Sequence, residues 1–221
     1  MNPDAAFEQA VGSPGEVDAS TFGAGTAEPD DVDRARAAEY ALLASLLLRA
    51  PDAELLERLS RLRDGATPLG LAHIALAEAA ASANAEAVRR EYFDLFIGVG
   101  RGELLPYASY YLTGFLNERP LARLRGDMMQ LGIERTDAHP DPEDHLGTLC
   151  EIMSGLAVGR FGAPGDEAGF FERHLASWAG RFFADLETAR VASFYRAVGQ
   201  VGRIFLEIEA EGFAMEASQS A

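Results

Sequence analysis

From about residue 34 to residue 211, apolar side chains return every three or four positions, the period of helices that bury one face. Leu42, Leu43, Leu46 and Leu47 share one face of a first helix, with Asp30 or Asp31 near its start and Pro51 beyond its end. Leu55, Leu56, Leu59 and Leu62 mark a second. The same pattern predicts helices over 69–81, 85–97, 107–116, 120–131, 142–159, 167–187 and 191–211, with breaks at Gly65/Pro68, Gly98–Gly102, Gly132–Pro140 and Gly162–Gly165. No stretch alternates apolar and polar residues between hairpin turns, and no repeat recurs. The fold class is therefore all-α.

Residues 1–33 break this pattern. They hold eight acidic residues, no basic ones, and many Gly, Ser, Thr and Pro, a composition that predicts a disordered acidic tail. The expected organisation is a tail over 1–33, one helical domain over 34–215 and a flexible end at 216–221. Across 221 residues, 48% are hydrophobic, enough for a sizeable core without covalent staples. The single cysteine, Cys150, leaves no intrachain disulfide and no thiolate metal cluster, which suits a reducing compartment. The longest apolar run, "YALLASLLL" at 40–48, is about half of what a bilayer requires, and no signal-peptide pattern opens the chain. A soluble, cytoplasmic protein is expected.

The net charge of −16 removes further classes, because a nucleic-acid backbone or an anionic membrane would be repelled while a cationic partner would not. Every one of the 19 basic residues is arginine. Without a lysine, Schiff-base chemistry and a standard phosphate-loop lysine are excluded.

Candidate chemistry concentrates in two places. The first is "PDPEDHLG" at 140–147. Asp141 and His145 are four residues apart, with His139 and Glu143 nearby, but none of the four histidines has a glutamate three positions before it, as a helical di-iron site would require. No metal site or cofactor is expected. Asp144 and His145 are neighbours, and adjacent helical residues point about 100° apart, so they do not form a mutually oriented acid–base pair. Asp141 near an N-cap and Pro142 at an early helical position read as a helix start. That leaves His145 without a role.

The second is "EYFDLFIGVGRGELLPYASYYLTGFL" at 91–116, where seven aromatic residues surround a glycine-rich loop. Phe93 and Phe96 face inward, and the tyrosines after Pro106 predict a partly exposed aromatic groove. Gly98, Gly100 and Gly102 follow a predicted helix rather than a strand, which argues against a dinucleotide loop.

Taken together, three segments resemble a known family. They are Leu95-Phe96-Ile97-Gly98-Val99-Gly100, Pro106-Tyr107-Ala108-Ser109-Tyr110-Tyr111 and Pro142-Glu143-Asp144-His145-Leu146-Gly147. In order and spacing they are similar to the "LFxGPG", "PYxSxY" and "E/D-P-x-D-H" segments of the redox-enzyme maturation chaperones typified by TorD and DmsD. The likeness extends more loosely over 34–211, including "FYRAVGQVGRIFLEIE" near the end. Val99 stands where the family has proline, which leaves this loop less rigid.

The resemblance implies a cytoplasmic, non-catalytic bundle of about 9–11 helices; the glycine-rich hinges at Gly132–Pro140 and Gly162–Gly165 permit domain swapping, so a monomer or a domain-swapped dimer is expected. Its partner would be the catalytic subunit of a molybdopterin-dependent oxidoreductase, bound through its twin-arginine leader, its body or both, and held from export during cofactor insertion. The expected client-binding residues are Leu95, Phe96, Gly98, Pro106, Tyr107, Ser109, Tyr111, Asp144 and His145. Leu95, Phe96, Pro106, Tyr107 and Tyr111 would line an apolar groove, with Asp144 and His145 at its rim, Asp144 accepting from an arginine and neutral His145 hydrogen-bonding backbone or carboxylate groups. Two alternatives carry different expectations. One is a nucleotide-binding helical regulator or enzyme; the other is an adaptor for the mature client, as in the NarJ branch.

Overall fold

The computed structural model describes residues 29–63, 65–134, 141–162 and 166–219, and among these no strand occurs. Among the described residues ten α-helices follow one another. They are α1 (Asp31–Leu48), α2 (Ala53–Leu59), α3 (Pro68–Ser82), α4 (Ala85–Tyr92), α5 (Ala108–Thr113), α6 (Arg119–Gln130), α7 (Leu146–Ala157), α8 (Asp166–His174), α9 (Ala179–Thr188) and α10 (Phe194–Gln219). A π-helical turn, Phe93–Ile97, continues α4.

Local chemistry starts the first four helices. Asp30 accepts from the backbone N–H of Val32 and Asp33 while the Asp33 carboxylate accepts from the Asp30 N–H, a reciprocal cap. Asp52, Thr67 and Asn84 cap α2, α3 and α4 in one direction only, their side chains accepting from first-turn backbone N–H groups, and Pro68 fills the first position of α3, where a missing N–H costs nothing.

The core forms where α1 lies along α7 and where α9 lies along α10, with α10 also covering α3. Tyr40, Leu43, Leu46 and Leu47 from α1 join Leu146, Leu149, Cys150 and Met153 from α7 in one buried cluster with Trp178, Phe182, Phe183 and Val198. Gly202 lets α10 approach α9: a β-carbon there would strike the Phe183 ring. Arg36 ties three helices together, its guanidinium bonding Glu209 of α10 at 2.7 Å and Glu167 of α8 at 2.5 Å. Burial alone would lower the Arg36 pKa, yet the two carboxylates outweigh it and raise it.

Several predicted boundaries are corrected. The helix expected at 142–159 begins only at Leu146, because His145 rather than Asp141 is its cap. The helix expected at 167–187 is two, α8 and α9, separated at Leu175–Trp178. No glycine or proline marks that break. The Trp178 ring is fully buried and its indole N–H donates to the His174 carbonyl at 2.6 Å, so packing rather than local preference turns the chain. The stretch at 85–97 changes from α to π at Phe93, and that at 107–116 shrinks to Ala108–Thr113, closed by left-handed Gly114. α1 starts inside the span read as tail, and α10 begins at Phe194 and runs to Gln219, past the expected flexible boundary. Residues 1–28 and His139 lie outside the described residues.

Candidate functional site

The "PYAS" and "EDHL" segments meet directly. Tyr107 and His145 form an isolated antiparallel bridge: Ala108 N–H donates to the Asp144 carbonyl at 3.0 Å, and Leu146 N–H to the Pro106 carbonyl at 2.7 Å. Side chains then complete what the backbone begins. Tyr107, at the cap position of α5, offers no side-chain acceptor of its own. Asp144 supplies it from across the bridge, its Oδ2 accepting from Ser109 N–H at 2.7 Å. His145 caps α7, its Nδ1 accepting from Gly147 N–H at 3.0 Å. That bond places the neutral ring's proton on Nε2. The Tyr107 ring meets the His145 ring edge-on at 5.1 Å, and its hydroxyl donates to Asp141 Oδ1 at 3.2 Å.

The expected rim position of Asp144 and His145 is therefore corrected. Asp144 is 0% exposed and His145 4%. They are inside because the helix starts they cap are inside. Ser109 is also fully buried, and among the described residues Asp144 Oδ1 and Ser109 Oγ have no hydrogen-bond partner. Leu95, Phe96 and Pro106, expected along a groove, are buried as well. Phe96 packs among Tyr92, Phe182 and Tyr195. Tyr107, Tyr111 and Gly98 remain partly accessible.

Tyr111 sits against Trp178 and Phe182, donates to Asp185 at 2.9 Å, and carries the Arg181 guanidinium 4.9 Å above its ring. Burial and then the neighbouring carboxylates, Asp141 for Tyr107 and Asp185 for Tyr111, push both phenols above their ordinary range. Each stays protonated and able to donate.

The glycine-rich loop adjoins α5. Gly98 has φ +61, and a β-carbon there would collide with the Arg101 carbonyl, so glycine is required. Leu104 N–H returns to the Leu95 carbonyl at 2.8 Å, and Arg101 stacks 5.5 Å from the Tyr110 ring centre. Val99, which stands where the resembled family has proline, is 97% exposed. A cavity of about 510 Å³ opens beside the loop, lined in part by Asp94, Arg101, Glu103 and Arg190.

Sequence reasoning missed three further residues. Glu91 accepts from the backbone N–H groups of Ser193, Phe194 and Tyr195, capping α10, and Glu103 accepts from those of Arg190 and Val191. These carboxylates bracket the loop and pin it to the start of the last helix. Arg125 of α6 is the third, donating through Nε at 3.0 Å and Nη2 at 2.8 Å to Glu143 Oε2. Only the positions of Glu91 and Glu103, flanking the loop motif, hinted at a task. A cavity of about 370 Å³ opens beside the Arg125–Glu143 pair. Among the described residues no group of three or more His, Cys, Asp or Glu could hold a metal ion, and no helix is long and apolar enough to cross a membrane.

Residues 62–184, which contain all three motifs, match the family described as nitrate reductase delta subunit. The chain is 25% identical to chaperone protein TorD of Vibrio cholerae over 127 residues, covering 53% of this chain and 58% of that one. It thus spans under two thirds of the length of that relative. With chaperone protein TorD of Shewanella pealeana it shares 24% identity over 212 residues, 86% of this chain and 95% of the other. A crystal structure described as that of a redox enzyme maturation protein from Archaeoglobus fulgidus has the same fold, with a TM-score of 0.55 at 19% identity over 86% of this chain and 99% of that one.

Proposed function

Since the chain belongs to the nitrate reductase delta subunit family, we propose that it is a cytoplasmic chaperone for the catalytic subunit of a molybdopterin-containing oxidoreductase. It binds the twin-arginine leader of that subunit and holds it from export while the cofactor is inserted. The protein itself turns nothing over and carries no cofactor. The observation that carries this reading is the junction of the motifs: the Tyr107–His145 bridge joins two of them and the Arg101–Tyr110 stack brings the third alongside.

A leader of this kind presents guanidinium groups followed by an apolar stretch, so its receptor needs carboxylates beside apolar surface. Both lie next to the bridge. Asp141 is exposed at the Tyr107 hydroxyl, Glu134 is exposed, and Met129 and Ile133 supply apolar surface near Glu143. The nine expected client residues divide accordingly. Tyr107, Tyr111 and Gly98 contact the client. Leu95, Phe96, Pro106, Ser109, Asp144 and His145 hold that surface in place from below.

A second reading, an adaptor that binds the mature body, is supported by the family's description as a reductase subunit. Titrating the chaperone with the full client, the leader-truncated client and the leader peptide separates the two. Leader-dependent binding is expected. Equal affinity for full and truncated clients would favour the adaptor.

A further inference from the structure

Glu143 and Arg125 are unequal partners. The Glu143 side chain is 8% exposed, whereas that of Arg125 is 51% exposed. A carboxylate this deep requires a cation, while a half-exposed guanidinium returns to water at small cost. Both Arg125 nitrogens also meet the same oxygen, Oε2, rather than the two-oxygen fork that makes arginine–carboxylate pairs strongest. Arg125 is therefore the displaceable member.

The surroundings show what would displace it. Arg125, Met128 and Met129 stand at i, i+3 and i+4 on α6, so their side chains share one face. The helix then ends on left-handed Gly132, where Ile133 N–H returns to the Met128 carbonyl at 2.8 Å. That turn swings Ile133 and Glu134 onto the same cavity that Glu143 borders. The result is apolar surface from exposed Met129 and half-buried Ile133 beside buried Met128, with two carboxylates at hand and one of them holding an arginine from the chain itself. The formal charge of −16 attracts a cationic segment to it.

We infer that Arg125 is an internal stand-in for a client arginine: it occupies Glu143 in the free chaperone and is exchanged for a guanidinium of the leader, whose apolar stretch then covers Met129 and Ile133. This rests on the leader-binding reading above and adds a regulatory contact to it. Because Arg125 competes, apparent leader affinity is reduced by the fraction of molecules in which Glu143 is already paired. Exchange of one guanidinium for another also keeps Glu143 neutralised throughout, so an empty, charged site never has to be buried.

The test is titration calorimetry of the full chain with a synthetic Arg-Arg leader peptide and its Lys-Lys counterpart, at fixed ionic strength. Arg125→Met keeps an aliphatic stem and removes the competitor. It is expected to tighten the Arg-Arg peptide by about three- to tenfold, if the internal pair is populated in most molecules, and to tighten the Lys-Lys peptide less. Glu143→Gln should weaken the Arg-Arg peptide and abolish the gain when combined with Arg125→Met. Arg125→Lys leaves a cation over Glu143 and serves where Arg125→Met fails to fold; it should tighten binding by about twofold. Leader binding by the wild type with unchanged or weaker binding by the folded Arg125 variants overturns the exchange alone. If neither wild type nor variants bind the leader, the exchange and the leader reading fall together.

Discussion

Asp144 caps a helix to which it does not belong: its Oδ2 accepts from the Ser109 N–H at 2.7 Å, across 35 residues of chain. The bond explains why an aspartate just before a histidine accompanies a "PYxS" segment in this protein. The carboxylate satisfies the start of α5, the histidine satisfies the start of α7, and the bridge between them fixes Tyr107 at the surface.

Truncating Asp144 should therefore cost stability before it costs recognition. Asp144→Ala removes a buried charge-assisted acceptor and leaves the Ser109 N–H unpaired, a loss of about 1–3 kcal/mol. Asp144→Asn keeps one carbonyl acceptor and should lose less. Urea unfolding followed by circular dichroism measures both, and equal stability of Asp144→Ala and wild type would show that the cap contributes nothing.

His145 makes a parallel case with a sharper control. His145→Ala should lose about 1 kcal/mol by uncapping α7, while His145→Asn restores a short side-chain acceptor at the cap and should recover much of it. Thermal melts of the two variants distinguish a cap from a simple packing role, for which asparagine would be no better than alanine.

Much of the helical plan was legible because it is written locally. The apolar face of α1, its acidic start and Pro51 beyond its end all sit within a few turns of one another. The α8–α9 break was not legible, since Trp178 turns the chain by filling the core rather than by any backbone preference. The motif residues were legible as a set, but their positions were not. Asp144 reads as a surface acid in sequence because the N–H groups that bury it come from Ser109 and Ala108, far along the chain. Glu91 was silent for the same reason: the three N–H groups it caps lie more than a hundred residues later.

Glu91 yields a prediction of its own. Glu91→Ala leaves three N–H groups, at Ser193 and at the first two residues of α10, without their acceptor and should cost about 1–3 kcal/mol, with faster amide exchange concentrated at Ser193, Phe194 and Tyr195. Uniform exchange throughout α10 would indicate global loosening instead.

Acid should loosen the contact between α6 and α8. His174 bonds Asp127 at 2.7 Å, with Arg173 at 2.8 Å from the same carboxylate and Arg123 nearby. Burial lowers the His174 pKa despite Asp127, so the folded state resists protonation that the unfolded chain accepts near pH 6.5. Its contribution is complete above that pH and is lost as pH falls from there toward the lower folded value. Asp127 also has a lowered pKa: burial would raise it, but the bonds from His174 and Arg173 prevail. Its contribution persists above the usual carboxylate range and is lost only in stronger acid. Melting temperature should fall between pH 7 and 5, and His174→Gln should flatten that slope. An unchanged slope in the variant would assign the acid sensitivity to other groups.

The most direct test of the chaperone account is calorimetric titration of the purified chain with a twin-arginine leader peptide from a molybdoenzyme catalytic subunit of the same organism, repeated with Tyr107→Ala after its fold is verified. The account predicts saturable binding that weakens about tenfold or more in the variant, as for the loss of an aromatic anchor at an interface. Absence of leader binding by the wild type, or binding indifferent to Tyr107, would contradict it.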